Sequence, residues 1–348
     1  MHMSDALLSP AVGGTMWAVS AGTIAYCSAK VRSELDEKKV PLMGVLGAFL
    51  FAAQMINFTI PATGSSGHIG GGLLLAILLG PHAAFLTIAS VLVVQSLFFA
   101  DGGLLALGCN IFNMGFIPSF IVYPFIYKKI LGKNPGQARL TPAIMISAIV
   151  GLQLGPFAVV LQTYFSGISE LPFSTFLLLM QPIHLAIGFV EGLVTVAVVS
   201  FVYKARPEIL QVAREARPIG VHPVRNILLA FLAATVLTGG IVSWYASENP
   251  DGLEWAIGKV TGKEELTGSE HWLYGMLASL QEKTAFLPDY SFRKPAEPGK
   301  EAAASEALNQ MDEGSRLGTS VAGIVGAFMT LAIAFIIGII LKKRHQMA

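Results

Sequence analysis

Long apolar segments alternate along the chain with short clusters of charged residues. A helix needs about 20 mostly apolar residues to cross the hydrocarbon core of a bilayer. The segments that meet this requirement are 10–29, 40–58, 104–127, 141–167, 174–203, 226–247 and 318–341. A further apolar stretch, 71–100, is interrupted by Gly80, Pro81 and His82. Because proline removes a backbone donor and clashes with the preceding turn, this stretch is predicted to form two short helices.

The positive charges predict how these helices are oriented. Lys and Arg mark cytoplasmic loops, and they cluster within 30–39, 128–139, 204–225 and 342–344. The N-terminus is then outside and the C-terminus cytoplasmic. The chain must go from outside, before residue 71, to the cytoplasm at residue 128, and the segment 104–127 supplies this one crossing. The 71–100 hairpin must therefore make no net crossing. Its two arms and the seven other segments give nine predicted helices. The first hairpin arm is short, so we expect it inside the bundle, where protein groups satisfy irregular backbone.

Composition agrees with a membrane protein. Apolar residues make up 53% of the chain and charged residues 13%, whereas a soluble domain carries about a quarter charged residues. A net charge of +1 argues against nucleic acid, which requires a concentrated basic face. Cys27 and Cys109 lie in apolar segments and are expected to be packing residues. The predicted fold is an all-α integral membrane protein, a polytopic helix bundle with a short helical hairpin and an extracytoplasmic polar domain.

The first residues, MHMSDALLSP, suggest metal chemistry. A secretory leader needs a basic start and a small-residue cleavage site. This stretch has no Lys or Arg and carries Asp5, so we expect Met1 to keep an unblocked amine. The amine of Met1, the deprotonated amide of His2 and its Nδ1 can then chelate one ion. Because the peptide is planar, this set favours the square-planar geometry of Ni(II) or Cu(II).

A fourth nitrogen is needed to complete such a site, and the predicted topology selects His68. Only this remaining histidine lies outside and within the core bundle, in the segment INFTIPATGSSGHIGGG at 56–72. Its glycines permit conformations closed to other residues, and Asn57, Ser65 and Ser66 are candidates to orient the ligands. The alternative is that His2 is a solvated terminal residue and that this segment is a plain loop.

Three stretches carry a resemblance to a known family. They are MH-x-x-D-x-x-LSP at the start, TGSSGHIGGGLLLAILLGPHAA at 63–84 and HLAIGFVEGLVT at 184–195. They resemble the CbiM/NikM family, the substrate-binding (S) subunits of energy-coupling-factor (ECF) transporters for nickel and cobalt, over about residues 1–210. The resemblance implies the same ligands: Met1, His2 and His68. Many members start MHI or MHIPDG, and this chain differs there only at non-ligand positions.

The second half resembles another component of these transporters. Two spans enclose an outer segment, 248–317, and the stretch NPDGLEWAIGKV within it resembles the PDGLE domain. This layout is similar to that of the small N subunit. The predicted domains are a substrate-binding domain at 1–205, a cytoplasmic linker at 206–225 and an N-subunit-like module at 226–348.

The predicted function is capture of Ni(II) for uptake across the cell membrane, with Co(II) as the alternative and no organic cofactor. The chain lacks a Walker A motif and an HExxH motif, so it is not expected to be an enzyme. The resemblance implies two cytoplasmic ABC-type ATPase subunits and a transmembrane coupling subunit as partners. A second hypothesis is a proton-coupled secondary transporter that uses His184 and Glu191, seven residues apart on one helix face. These two residues can instead lock helices together.

Overall fold

A computed structural model describes residues 2–34, 38–132, 136–264, 266, 271–292 and 304–346. The described chain forms a helix bundle with one short antiparallel β-hairpin, β1 (Phe58–Ile60) and β2 (Ser65–Gly67). The helices are α1 (Pro10–Glu34), α2 (Lys39–Gln54), α3 (Gly72–Leu79), α4 (Pro81–Phe99), α5 (Leu107–Leu131), α6 (Gln137–Ser166), α7 (Phe173–Ala205), α8 (Pro207–Glu215), α9 (Arg225–Gly240), α10 (Gly252–Thr261), α11 (Trp272–Thr284) and α12 (Ala304–Gln346).

Five of the described helices are long and apolar enough to cross a membrane, namely α4, α5, α6, α7 and the 316–341 part of α12. Helices α2 and α9 are shorter but also apolar. The protein is therefore a multi-pass helical membrane protein. Helix α1 has the length of a span, but small and hydroxyl residues reduce its hydropathy, so the predicted crossing at 10–29 stays a prediction.

The predicted break at Gly80–Pro81 is confirmed. Helix α3 ends at Leu79, Gly80 has a φ of 80°, and Pro81 is the first residue of α4. Only glycine adopts this backbone conformation readily, while proline suits the first position of a helix. All eight residues of α3 are buried, and they rise only about 12 Å. This arm lies inside the bundle, as expected from its length.

Helix α5 differs from the regular span predicted at 104–127. Its central part, Phe112–Tyr127, is a π-helix that contains Pro118 and Pro124. Each proline lacks the N–H that a regular α-helical hydrogen bond requires, and π-turns inside helices are often found at functional sites. The start of this helix, before the π-turns, faces the N-terminal segment through Asn110.

The C-terminal module, which we define as residues 225–346, packs against the N-terminal module, residues 2–215. Helices α9 and α12 both contact α2 and each other. Their backbones approach closely at Gly239 and Gly323, where a Cβ atom on Gly323 would overlap the carbonyl oxygen of Gly239. The Ser320 hydroxyl donates to the carbonyl of Gly240. Helices α10 and α11 extend over the N-terminal module, with α10 against α7 and α11 against α4.

Candidate metal centre

The N-terminal segment is hydrogen-bonded to the first turn of α5 and to the loop that precedes it. The backbone N–H of Met3 donates to Oδ1 of Asn110 at 2.8 Å, and Asn110 Nδ2 donates to the Met3 carbonyl at 3.3 Å. The Gly103 N–H donates to the same carbonyl, and Asp5 Oδ1 accepts from Ala106 N at 2.9 Å. These contacts fix the position of His2, the residue before Met3.

His2 and His68 lie side by side. Their ring centroids are 5.1 Å apart and their planes differ by 10°. The Nδ1 of His2 is 2.9 Å from Oδ1 of Asp101. The Nε2 of His2 is buried and has no hydrogen-bond partner among the described residues. The structure thus brings together two imidazoles that are 66 positions apart in the sequence, with a carboxylate beside one of them.

The His68 ring is neutral, and its ring proton is not on Nε2, so the Nε2 lone pair meets the requirement of a metal ligand. Its Nδ1 is 3.1 Å from the backbone carbonyl of Ile69, so Nδ1 carries the proton and the lone pair lies on Nε2. Burial lowers the pKa of His68 to about 3, which keeps the ring uncharged at neutral pH. Donation from the second ring nitrogen to a carbonyl is the usual arrangement for a metal-ligating histidine.

Glu191 holds the glycine segment that follows His68. Its two carboxylate oxygens accept from the backbone N–H groups of Gly70, at 2.7 Å, and Gly71, at 3.1 Å. The φ of Gly71 is 72°, a conformation that side chains disfavour. Gln54 of α2 donates to the Gly70 carbonyl at 2.9 Å. Polar groups from α2 and α7 therefore set the position of His68 through its neighbours.

If His2 and His68 bind Ni(II) as predicted, Glu191→Gln is expected to weaken that binding by about 10- to 100-fold, the usual effect of losing a group that orients a ligand. The amide NH₂ of Gln cannot accept from a backbone N–H, so at least one bond to Gly70 or Gly71 is lost. Calorimetric titration of the purified protein measures the change. The matched control is Glu170→Gln, an exposed carboxylate just before α7. Equal affinities in the two variants would contradict this role.

Comparisons with known proteins identify the family of the chain. Residues 2–209 match the family model described as the cobalt uptake substrate-specific transmembrane region, CbiM. The chain belongs to the CbiM family. In addition, residues 225–343 of this CbiM-family protein match the PDGLE domain, so the chain combines both elements. It is a nickel or cobalt transport subunit of the CbiM/NikM type.

Relatives of this CbiM-family chain share its fused layout or its first module. It is 31% identical to an Archaeoglobus fulgidus protein named as a fused nickel transport protein, NikMN, over 96% of this chain and 97% of that protein. It is 30% identical to the cobalt transport protein CbiM of Geobacter sulfurreducens, over 60% of this chain and 61% of the relative. A crystal structure of a truncated transition metal transporter matches with a TM-score of 0.52 and 31% identity, covering 59% of this chain and 99% of the other.

The predicted orienting residues of this CbiM-family protein contact its C-terminal module. The Ser66 hydroxyl donates to the carbonyl of Asn249 at 2.7 Å, and the Ser66 N–H donates to that of Pro250 at 2.8 Å. The Ser65 hydroxyl contacts the Ser66 carbonyl. The Asn57 carbonyl accepts from the backbone N–H of Ser247. These contacts dock the β-hairpin on the segment 247–250, and a role in orienting the imidazoles stays a prediction.

His184 and Glu191 are both buried in α7, on the same face, but they bind different groups. The Nδ1 of His184 is 2.7 Å from the Met180 carbonyl one turn earlier. Its ring lies beside Gly252 at the start of α10, and its Nε2 has no hydrogen-bond partner among the described residues. Among the described contacts, Glu191 therefore connects α7 to the glycine segment, while His184 lies at the contact with the C-terminal module.

Met1, the remaining predicted ligand, lies outside the described residues. Among those that the structure describes, no group of three or more His, Cys, Asp and Glu side chains is arranged to hold a metal ion. Two imidazoles leave a planar four-coordinate ion two donors short. The sequence predicts that the Met1 amine and the His2 amide supply these two donors, and this stays a prediction.

Proposed function

We propose that this CbiM-family chain is the subunit that captures Ni(II) for an ATP-driven ECF-type transporter. The ion is the cargo, and its ligands are the Met1 amine, the His2 amide and Nδ1, and Nε2 of His68. The adjacency of the His2 and His68 rings, 5.1 Å apart, is the observation that carries the proposal. A metal that takes Nδ1 of His2 would displace the Asp101 carboxylate that contacts this atom.

The energy source of transport and the orientation of the chain in the membrane are inferred from the sequence. The chain has no Walker A motif, so ATP hydrolysis belongs to partners, which we propose to be two cytoplasmic ATPases and a transmembrane coupling subunit. The basic clusters in the sequence support our proposal that the N-terminus is outside and the C-terminus is in the cytoplasm. We retain the division into a substrate-binding domain at 1–205, a linker at 206–225 and an N-subunit-like module at 226–348.

Metal analysis of protein purified from medium with equal nickel and cobalt tests this function. We expect one nickel per chain and the absorption spectrum of a planar, four-nitrogen Ni(II) complex. A planar set of four nitrogens suits Ni(II), which favours square-planar sites. A preparation enriched in cobalt would support the alternative cargo, and a tetrahedral or octahedral spectrum would contradict the planar site.

The affinity for Ni(II) is expected to fall as the pH falls. Binding releases the His2 amide proton, and it also releases an amine proton below the ordinary pKa of an α-amine, about 7.7–8.0. The logarithm of Kd should therefore rise by about one to two for each unit that the pH falls between 8 and 6. His68 contributes no proton in this range, because burial keeps its ring neutral. Titrations in matched buffers measure the slope, and a flat profile would exclude amide ligation.

A further inference from the structure

A cavity of about 340 Å³ lies between the two modules. The N-terminal module contributes His2 and the loop 100–103 to its wall, and the C-terminal module contributes α10 and α11. Among the residues that the structure describes, no Lys or Arg lines this cavity. The carboxylates that line it are Asp5, Asp101, Asp251, Glu254, Glu264 and Asp289. We call this space the acidic cavity.

His2 connects the acidic cavity to the nitrogen site, by which we mean the proposed ligands of Met1, His2 and His68. It is a lining residue, its side chain is only 5% exposed, and its buried Nε2 has no hydrogen-bond partner in the described part of the chain. His68 lies behind it, stacked on its ring, and does not line the cavity. Asp101 lines the cavity and contacts Nδ1 of His2. An ion that reaches His2 from this cavity therefore passes the carboxylates first.

We propose that the acidic cavity is an entrance site that holds a hydrated divalent cation before the ion moves to the nitrogen ligands. This inference rests on the proposed function of the nitrogen site. In the described residues, no three of the carboxylates converge as direct ligands, so they act through the water shell of the ion. Six waters occupy roughly 180 Å³ at about 30 Å³ each, which fits within the cavity of about 340 Å³.

The charge distribution supports this role. A cleft lined by charges of one sign raises the local concentration of counter-ions and increases association rates by about 10- to 10³-fold. Burial raises the pKa of Glu254, and the adjacent Asp251 carboxylate raises it further, so negative charge is crowded at this part of the wall. A divalent cation relieves that crowding.

The entrance site gives the C-terminal module a function in metal capture. This module supplies Asp251, Glu254, Glu264 and Asp289. Asp251 and Glu254 also form a capping box at the start of α10, in which Asp251 accepts from Leu253 N and Glu254 N. The Pro250 carbonyl just before them accepts from Ser66 N. The contact between the modules therefore brings these carboxylates in front of His2.

The test compares two triple variants, each of which replaces three carboxylates by amides. Glu254→Gln, Glu264→Gln and Asp289→Asn remove three of the six described carboxylates of the acidic cavity and leave His2 and His68 unchanged. Glu254→Gln preserves the capping box, in which either Glu or Gln can accept from the N-cap backbone. The control carries Glu→Gln at three exposed positions that do not line the acidic cavity: Glu170, Glu248 and Glu282.

Stopped-flow absorbance with Ni²⁺ on the full chain in nanodiscs gives the second-order rate constant of binding. We expect a fall of about 10-fold or more in the cavity variant at low salt, with a weaker dependence on ionic strength. Its dissociation rate and its stoichiometry of one Ni²⁺ should match those of the parent. Equal rates in the cavity variant and the parent, or an equal fall in the control variant, would overturn the entrance site. Absence of stoichiometric binding by the parent would refute the nitrogen site itself.

Competition by Mg²⁺ gives a second readout. Mg²⁺ prefers oxygen ligands and dehydrates reluctantly, so it should occupy the acidic cavity but not the nitrogen ligands. At constant ionic strength, excess Mg²⁺ is expected to slow Ni²⁺ binding by the parent and by the control variant, and to have little effect on the cavity variant. Equal inhibition of all three proteins would overturn the proposal.

Discussion

Replacement of His68 by alanine is expected to raise the Kd for Ni(II) by more than about 100-fold, because even groups that only orient a ligand change metal affinity by 10- to 100-fold. His68→Ala removes the fourth nitrogen of the planar set, while the glycine segment behind it keeps its bonds to Glu191. His2→Ala should have a similar effect, since it removes the stacked partner ring. Calorimetric and spectroscopic titration of the detergent-solubilised protein measures both losses.

The control for these variants is His222→Ala. His222 is half-buried in the linker between the modules, and it has no predicted part in the site. Its replacement should leave the Kd for Ni(II) and the planar spectrum as they are in the parent. Parental affinity in His68→Ala would show that another group supplies the fourth ligand, and the proposed site would then be wrong.

A Gly-Ser extension before Met1 is expected to weaken Ni(II) binding by a comparable factor, more than about 100-fold. The extension converts the Met1 amine to a peptide amide and moves the new amine two residues away. The chain cannot slide to compensate, because Asn110 and Gly103 hold both backbone groups of Met3. Titration of the extended protein against Ni(II), after mass spectrometry has confirmed the intact extension, measures the effect.

The extension must add two residues, because a single added residue would create a new chelating site. With a single added residue, the new amine, two amides and Nδ1 of His2 would complete a planar four-nitrogen set without His68. The matched control carries Gly-Ser after Ala348, which should leave binding at the parental level. Undiminished Ni(II) affinity in the N-terminally extended protein would exclude the Met1 amine as a ligand.

Much of the fold could be predicted from local sequence. Apolar length predicted the positions of the long helices, and Gly80–Pro81 predicted the break between α3 and α4 because both residues act on the backbone where they stand. The π-helix within α5 was not predicted, since its apolar residues fit any helical period. The β-hairpin was also missed, because its strands have only three residues each and a glycine- and serine-rich sequence resembles an ordinary loop.

The candidate site was predictable in part. His2 and His68 were identified because donor chemistry and predicted topology pointed to them. Asp101 and the contact of Glu191 with the glycine segment were not identified. Gly70 and Glu191 are 121 positions apart, and a contact at that separation depends on how α7 packs against the rest of the bundle. No local pattern encodes it.

The bond between Glu191 and the glycine segment has a consequence for cargo release. Helix α7 continues for 14 residues beyond Glu191 to Ala205, about 21 Å at the rise of an α-helix. Force applied at the Ala205 end by the proposed ATPase partners would be transmitted by this helix to Gly70 and Gly71. Spin-label distances between α2 and α7, with and without ATP in the assembled transporter, would measure the displacement. A shift of α7 would draw one imidazole away from the other and open the chelate toward the cytoplasm.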